Sequence, residues 1–244
     1  MSRWMPWNIA RKEMKVILRK KSVIGYVLVL PIVLAAFLLL VVQNDVISDG
    51  AISSDYSLGF TLLVYFFVIF SAIVPSSIAS YSIVGEKVEK SLEPLLATPV
   101  TDGEILLGKT IAAFLPPIVA IWAGAGIFMA GTDYLTHDIL QFYYFPNLDC
   151  AIMLLILSPL AAIMSIQLAV IASSRVTDVR GANQVGGLMF IPFMAVFVAA
   201  VEGSFPLTAS NLFIASGAVA VANLALFYLS KSTFRREEIL TKWK

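Results

Sequence analysis

The sequence has few charged residues and almost no cysteine or histidine, and each shortage excludes a kind of structure or site. Charged residues make up 14% of the 244 residues, against about 25% in a typical soluble domain. A single cysteine, Cys150, excludes an intramolecular disulfide framework. A single histidine, His137, leaves a zinc site without most of the ligands it needs. In contrast, 59% of the residues are hydrophobic, more than a soluble core can absorb without leaving large apolar patches on the surface.

Lysine, arginine and glutamate are absent from six long apolar segments. A helix of about 20 apolar residues crosses a hydrocarbon core of about 30 Å, whereas a central Lys or Arg would cost about 2.5–3.5 kcal/mol. We therefore predict an all-α integral membrane protein with six transmembrane helices. The predicted spans are residues 23–42, 58–84, 110–131, 149–172, 184–201 and 209–230.

The first apolar segment follows a basic tail, as it would in a secretory signal peptide. The segment is longer than the roughly 7–15 apolar residues of such a signal, and no small-x-small cleavage site follows it. We therefore expect it to be retained as the first span.

The basic residues predict the orientation of the chain. All 17 lysine and arginine residues lie in the N-terminal tail, in the loops after the second and fourth spans, or in the C-terminal tail. The positive-inside rule then predicts that both termini are cytoplasmic. The predicted location is the plasma membrane. The predicted organisation is one transmembrane domain, residues 1–244. It comprises a cytoplasmic interfacial helix (1–22), the six spans (23–230) and a cytoplasmic tail (231–244).

Residues 7–21 predict an amphipathic helix. Apolar residues recur along one side with i, i+3, i+7 spacing, and basic residues cover the remainder. Such a helix lies among the headgroups with its basic face towards anionic lipid, which makes membrane lipids an expected partner. A basic tail that only sets the topology is the alternative. The predicted membrane-interface residues are Trp7, Arg11, Lys12, Met14, Lys15, Ile17 and Arg19.

The connection between the second and third spans, residues 85–109, is longer than a simple link requires. Its apolar residues share one face of a predicted short helix, with the spacing i, i+4, i+7, i+8: Val88, Leu92, Leu95 and Leu96. Pro99 predicts the end of this short helix, because the residue before a proline avoids the α-helical conformation. Thr101 and Glu104 then match the T-x-x-E capping box that opens a new helix.

This loop, GEKVEKSLEPLLATPVTDGEILLGK, resembles the signature loop of the type-2 ATP-binding-cassette (ABC) exporter permeases. The residues that match are Glu86, Lys87, Glu89, Ser91, Leu92, Glu93, Leu95, Leu96, Thr98, Pro99, Val100, Thr101, Glu104, Ile105, Leu106, Gly108 and Lys109. Val88 departs from the pattern, since the family usually has a charged residue there. The resemblance implies a cytoplasmic coupling helix that docks on an ATPase subunit. The implied contact residues are Glu86, Glu89, Ser91, Leu92, Glu93, Leu95, Leu96, Thr98 and Pro99.

The resemblance also implies a function, that of a non-catalytic permease subunit of an ABC exporter. The subunit would form the translocation pathway as a dimer with a second copy or a homologous permease. We expect no phosphate-binding loop, G-x-x-x-x-G-K-[ST], and therefore no cofactor on this chain. ATP and Mg would bind a separate ATP-binding subunit, and no nucleic-acid partner is expected.

Two other functions are less favoured by the residues. A secondary transporter or channel usually has ionisable residues or broken helices at the middle of the membrane. Prolines inside the spans allow broken helices, but ionisable residues are absent there. An intramembrane enzyme would need a base beside one of the serines. The substrate stays open: apolar spans with scattered serines fit lipids, amphipathic drugs or hydrophobic peptides, and do not exclude ions.

Overall fold

The computed structural model describes residues 5–19, 25–47, 56–88, 101–175, 181, 184 and 186–233, and the regular elements in this part of the chain are all helical. The α-helices are α1 (Met5–Ile17), α2 (Leu30–Val41), α3 (Tyr56–Val88), α4 (Asp102–Leu140), α5 (Leu148–Ile152), α6 (Ser158–Arg175), α7 (Phe190–Val201) and α8 (Ala209–Thr233). Short π-helical turns, Gly25–Val29 and Val42–Ile47, continue α2 at both ends, and Met153–Leu157 joins α5 to α6.

Five helical stretches among the described residues are long and apolar enough to cross a membrane. They are Gly25–Asn44, Tyr56–Ser80, Gly103–Leu140, Leu148–Ser173 and Ala209–Ser230. These stretches overlap the first four predicted spans and the sixth. The region of the predicted fifth span contains α7, an apolar helix of 12 residues. The all-helical class of the prediction is therefore confirmed, together with five of its spanning segments as candidates.

The centre of the bundle is α3, which packs against α4, α6 and α7. Its 33 residues correspond to about 50 Å, so the helix extends beyond a hydrocarbon core of about 30 Å. Tyr65, Phe67 and Val68 are fully buried in the larger of two apolar clusters. The Tyr65 hydroxyl donates to the carbonyl oxygen of Phe193 at 3.2 Å. This hydrogen bond satisfies a buried polar atom and connects α3 to α7.

Two buried serines on α3, Ser71 and Ser76, form hydrogen bonds within their own helix. The hydroxyls of Ser71 and Ser76 donate to the carbonyl oxygens of Val68 and Ile73, at 2.6 and 2.7 Å. A hydroxyl satisfied in this way can be buried in an apolar bundle at little cost. These two serines therefore have a structural explanation that requires no bound substrate.

Two glycines allow α2 and α4 to approach closely. A Cβ atom at Gly124 would lie 2.7 Å from the carbonyl oxygen of Pro31, and one at Gly131 would lie 2.7 Å from a methyl carbon of Leu39. Small residues at such crossings let helix backbones pack tightly in membranes. The α2–α4 contact therefore depends on the absence of a side chain at Gly124, where the neighbouring atom belongs to the backbone.

At the C-terminal end of α4, a buried carboxylate organises the loop that follows. Asp133 Oδ1 accepts hydrogen bonds from the backbone N–H groups of Tyr144, at 3.0 Å, and Phe145, at 3.1 Å. The Tyr144 hydroxyl donates to the carbonyl oxygen of Ser57, at 2.9 Å, near the start of α3. Asp133 thus satisfies backbone donors at this end of the bundle.

Candidate functional site

The predicted capping box at the start of α4 is confirmed. The hydroxyl oxygen of Thr101 accepts from the backbone N–H of Glu104 at 3.4 Å, and the backbone N–H of Thr101 donates to Glu104 Oε2 at 2.9 Å. Each residue satisfies an unpaired donor at the helix start. The loop therefore ends, and α4 begins, where the residue pattern predicts.

Most of the predicted coupling residues lie outside the described part of the chain. They are Glu89, Ser91, Leu92, Glu93, Leu95, Leu96, Thr98 and Pro99, and for Glu86 only the backbone of α3 is described. Their contact with an ATPase subunit stays a prediction. The structure does describe what flanks them, because α3 extends to Val88 and α4 begins at Asp102.

The flanking helices meet in the second apolar cluster of the protein. Val74 and Ile78 from α3, Leu106 from α4 and Ile166 from α6 are all buried in it. Ile17 of α1 belongs to the same cluster. Both ends of the candidate coupling segment are therefore joined to one packed unit, through which a displacement can pass to three of the long helices.

The N-terminal helix α1 lies against the start of α4. Its packed or half-buried residues follow the helical spacing i, i+3, i+4, i+7, i+8, i+11: Pro6, Ile9, Ala10, Glu13, Met14 and Ile17. Ala10 is fully buried. A helix thus forms where the amphipathic pattern predicts, with part of its apolar stripe packed on protein.

The predicted membrane-interface residues divide between the two sides of α1. Ile17 is buried and Met14 is half-buried, whereas the other five are exposed: Trp7, Arg11, Lys12, Lys15 and Arg19. Trp7 and Leu18 are each 44% exposed, and their separation of eleven residues places them on nearly the same side. The exposed side of α1 therefore combines three apolar side chains, those of Trp7, Val16 and Leu18, with the basic ones, and its contact with a membrane stays a prediction.

A buried ion pair fastens α1 to α4. Lys109 Nζ lies 4.0 Å from Glu13 Oε1, and the two side chains are only 3% and 12% exposed. One residue earlier, a Cβ atom at Gly108 would lie 2.8 Å from Ile9 Cβ and 2.9 Å from the carbonyl oxygen of Pro6. Gly108 and Lys109 were among the residues that match the loop motif, but the sequence assigned no role to them. The pair with Glu13 was missed, although Glu13 falls on the packed side by its spacing from Ile9 and Ile17.

The expectation that the chain lacks the phosphate-loop pattern is wrong, because residues 103–110, GEILLGKT, match G-x-x-x-x-G-K-[ST]. A true phosphate loop joins a strand to a helix and turns its free N–H groups towards the phosphates. Here all eight residues belong to α4. Gly108 is packed against α1, and Lys109 is buried beside Glu13. The segment therefore has the letters of a phosphate loop without its strand–loop–helix geometry.

Acidic, cysteine and histidine side chains do not gather into a metal site anywhere in the described ranges. The structure is a helical bundle with five candidate spans, and the helices before and after residues 89–100 share one apolar cluster. These features define the class of polytopic membrane proteins. The chain belongs to the ABC-2 family of transporter proteins, whose profile matches residues 7–235. A comparison with curated proteins finds no match. Family membership makes the protein a non-catalytic membrane subunit of an ABC transporter.

Proposed function

We propose that this chain is the permease subunit of an ABC exporter, working as a dimer and driven by a separate ATP-binding subunit. The observation that carries the proposal, within an ABC-2 family member, is the packing of the two helices that precede and follow residues 89–100. The helices on both sides of this segment share one buried cluster with α1 and α6. A partner that moves the segment would therefore move the bundle.

The proposed topology has six spans, with both termini in the cytoplasm and the protein in the cell membrane. Two observations support α7 as part of the fifth span. The Leu188 N–H donates to the Gln184 carbonyl oxygen at 3.1 Å, so a helical turn precedes α7. Gly186 packs between Ser76 of α3 and Ala169 of α6, since a Cβ atom there would lie 2.9 and 3.2 Å from their Cβ atoms. Residues 184–201 would then extend about 27 Å.

The proposed dimer would use the outer side of α7. In the described residues α7 packs mainly on α3, and its other side is an open apolar surface. Met194, Val198 and Ala199 contribute to this surface, with Glu202 at its end. A second permease copy facing this side would enclose a pathway with apolar walls, which suits lipids or other hydrophobic cargo.

The proposed cycle draws its energy from ATP and Mg on the partner, with no cofactor on this chain. ATP binding would bring the two ATP-binding subunits together and pull on the paired coupling helices. This can change the permease conformation only if the partner binds one permease state more tightly than the other. The helix α1 would stay in contact with the lipid headgroups while the spans rearrange.

A secondary transporter is less favoured. Proton coupling needs an ionisable group free to load and unload within the membrane. The buried Asp133 accepts bonds from two backbone N–H groups, and the buried Lys109 pairs with Glu13. The carboxylate of Asp133 and the ammonium of Lys109 are thus already committed to structural interactions.

A substitution in the coupling segment tests the proposal. We expect Leu92→Asp to weaken binding of the ATP-binding subunit about tenfold or more, because burying a leucine contributes roughly 1.5–3 kcal/mol and 1.4 kcal/mol is a factor of ten. Lys90→Gln, which changes the net charge by the same amount on the opposite face of the predicted helix, is the matched control. Co-purification and ATPase stimulation in the reconstituted complex are the measurements. Normal binding and stimulation by Leu92→Asp, or equal losses in both variants, would show that this face is not the contact.

A further inference from the structure

The contact between α1 and α4 contains a feature that apolar packing alone does not require. Glu13 and Lys109 are 12% and 3% exposed, so both charges have lost most of their water. Burying an ion pair yields little net stability, because desolvation offsets the attraction between the charges. Such pairs are best attested as devices that fix one relative position of two elements.

The surroundings of the pair restrict the same position. Ile9 and Pro6 of α1 lie so close to Gly108 that no Cβ atom fits between the helices. A shift of α1 by one residue along α4 would move Ile9 and Pro6 away from Gly108 and separate Glu13 from Lys109. Two adjacent residues of α4 therefore hold α1 in a single register, within eight residues of the capping box at Thr101.

We propose that the Glu13–Lys109 pair is a positioning lock that makes α1 and the first two turns of α4 move as one body. This inference rests on the proposed function, because α4 begins where the coupling segment ends. When the ATP-binding subunit displaces the coupling segment, the lock carries α1 along with it. The exposed basic arc of α1, Arg11, Lys12, Lys15 and Arg19, then shifts against the anionic headgroups of the membrane. Glu13 and Lys109 would be positioning residues, acting through α1 rather than on substrate.

The lock can be tested without an ATP-binding subunit. Spin labels at Asn8→Cys and Leu107→Cys, two exposed positions on α1 and α4, report the distance between the helices in a Cys150→Ser background. We expect a narrow distance distribution that broadens with Glu13→Gln and with Lys109→Met. The exchanged pair, Glu13→Lys with Lys109→Glu, should restore the narrow distribution. Asp138→Asn, an exposed acid-to-amide change at the far end of α4, should leave it unaltered.

The second readout uses the complete complex with its ATP-binding subunit, in vesicles with and without phosphatidylserine. We expect each single variant to reduce ATPase stimulation by anionic lipid about fivefold or more, while the two subunits still co-purify. The exchanged pair should recover the stimulation. Loss of co-purification in the unsubstituted protein would overturn the proposed function and leave the distance test standing.

Three results would overturn the lock. One is a narrow distribution in both single variants, and another is an exchanged pair that stays broad. The third is lipid stimulation that is unchanged in the single variants although their distributions have broadened. If neither single variant accumulates in the membrane, the variant with the exchanged pair provides the test by itself. Its accumulation with a narrow distribution supports the lock, and its failure to accumulate refutes it.

Discussion

The segment that contains Gly108 and Lys109 has a sequence compatible with either a phosphate-binding loop or a helix–helix contact. The neighbouring residues in the fold distinguish the two. GEILLGKT has the spacing of a phosphate loop, yet Gly108 contacts Ile9 and Lys109 faces Glu13 within a continuous helix. A glycine is needed here because a neighbouring backbone lies close, and the lysine is needed for its paired charge. The sequence shows which residue types are present, but it does not show their partners, which are about 100 positions away in the chain.

The glycines of α4 show the same limit, since their spacing does not reveal which of them meets another helix. Gly124 lies against the Pro31 carbonyl oxygen, whereas nothing lies within 4 Å of a Cβ atom at Gly126. Of these two glycines, only Gly124 makes a close contact with another helix. The difference arises from the crossing point with α2, which periodicity does not contain.

These two glycines predict substitutions of opposite sign. Gly124→Ala should destabilise the protein by about 1–3 kcal/mol, because overpacking against a backbone atom cannot be relieved by a side-chain rotation. Gly126→Ala should be neutral or stabilising by up to about 1 kcal/mol, through helix propensity. Thermal unfolding of the detergent-solubilised variants, followed by tryptophan fluorescence, is the measurement. Equal melting temperatures for the two variants would contradict the proposed close crossing of α2 and α4.

At the scale of the elements, local signals predicted helix starts better than helix continuity. The capping box located the start of α4, because Thr101 and Glu104 act within one turn. The π-helical turn Met153–Leu157 just before Pro159 was not foreseen. Proline removes a backbone donor and can displace the preceding turn, but whether a helix kinks or widens there depends on its neighbours. Trp122 is one such neighbour, since its indole N–H donates to the Leu154 carbonyl oxygen at 2.8 Å.

Whether α7 is part of a membrane-spanning segment can be tested directly. If residues 184–201 span the membrane, the loops after α4 and after α7 lie on the same side, because two spans separate them. A membrane-impermeant maleimide added to intact cells should then label Asp138→Cys and Thr208→Cys equally, in a Cys150→Ser background. Lys90→Cys should be labelled only after permeabilisation. Labelling of Asp138→Cys but not Thr208→Cys in intact cells would show that α7 does not cross.

At the scale of the whole molecule, composition and charge placement predicted most of the architecture. Long apolar segments in a chain with 14% charged residues leave few alternatives to a helical membrane bundle, and five of the six predicted spans recur as candidate spans. The arrangement of the helices could not be predicted in this way. The central place of α3 and the docking of α1 on α4 depend on contacts between residues far apart in the chain.

The measurement that tests the central claim most directly is the native mass of the complex. This chain would be co-expressed with its ATP-binding subunit, extracted in mild detergent and isolated through a tag on the chain. We predict two copies of the permease chain with two ATP-binding subunits, because the proposed pathway is enclosed only when a second copy faces the open apolar surface of α7. A functional complex that contains a single permease chain, with no second homologous permease, would contradict the account.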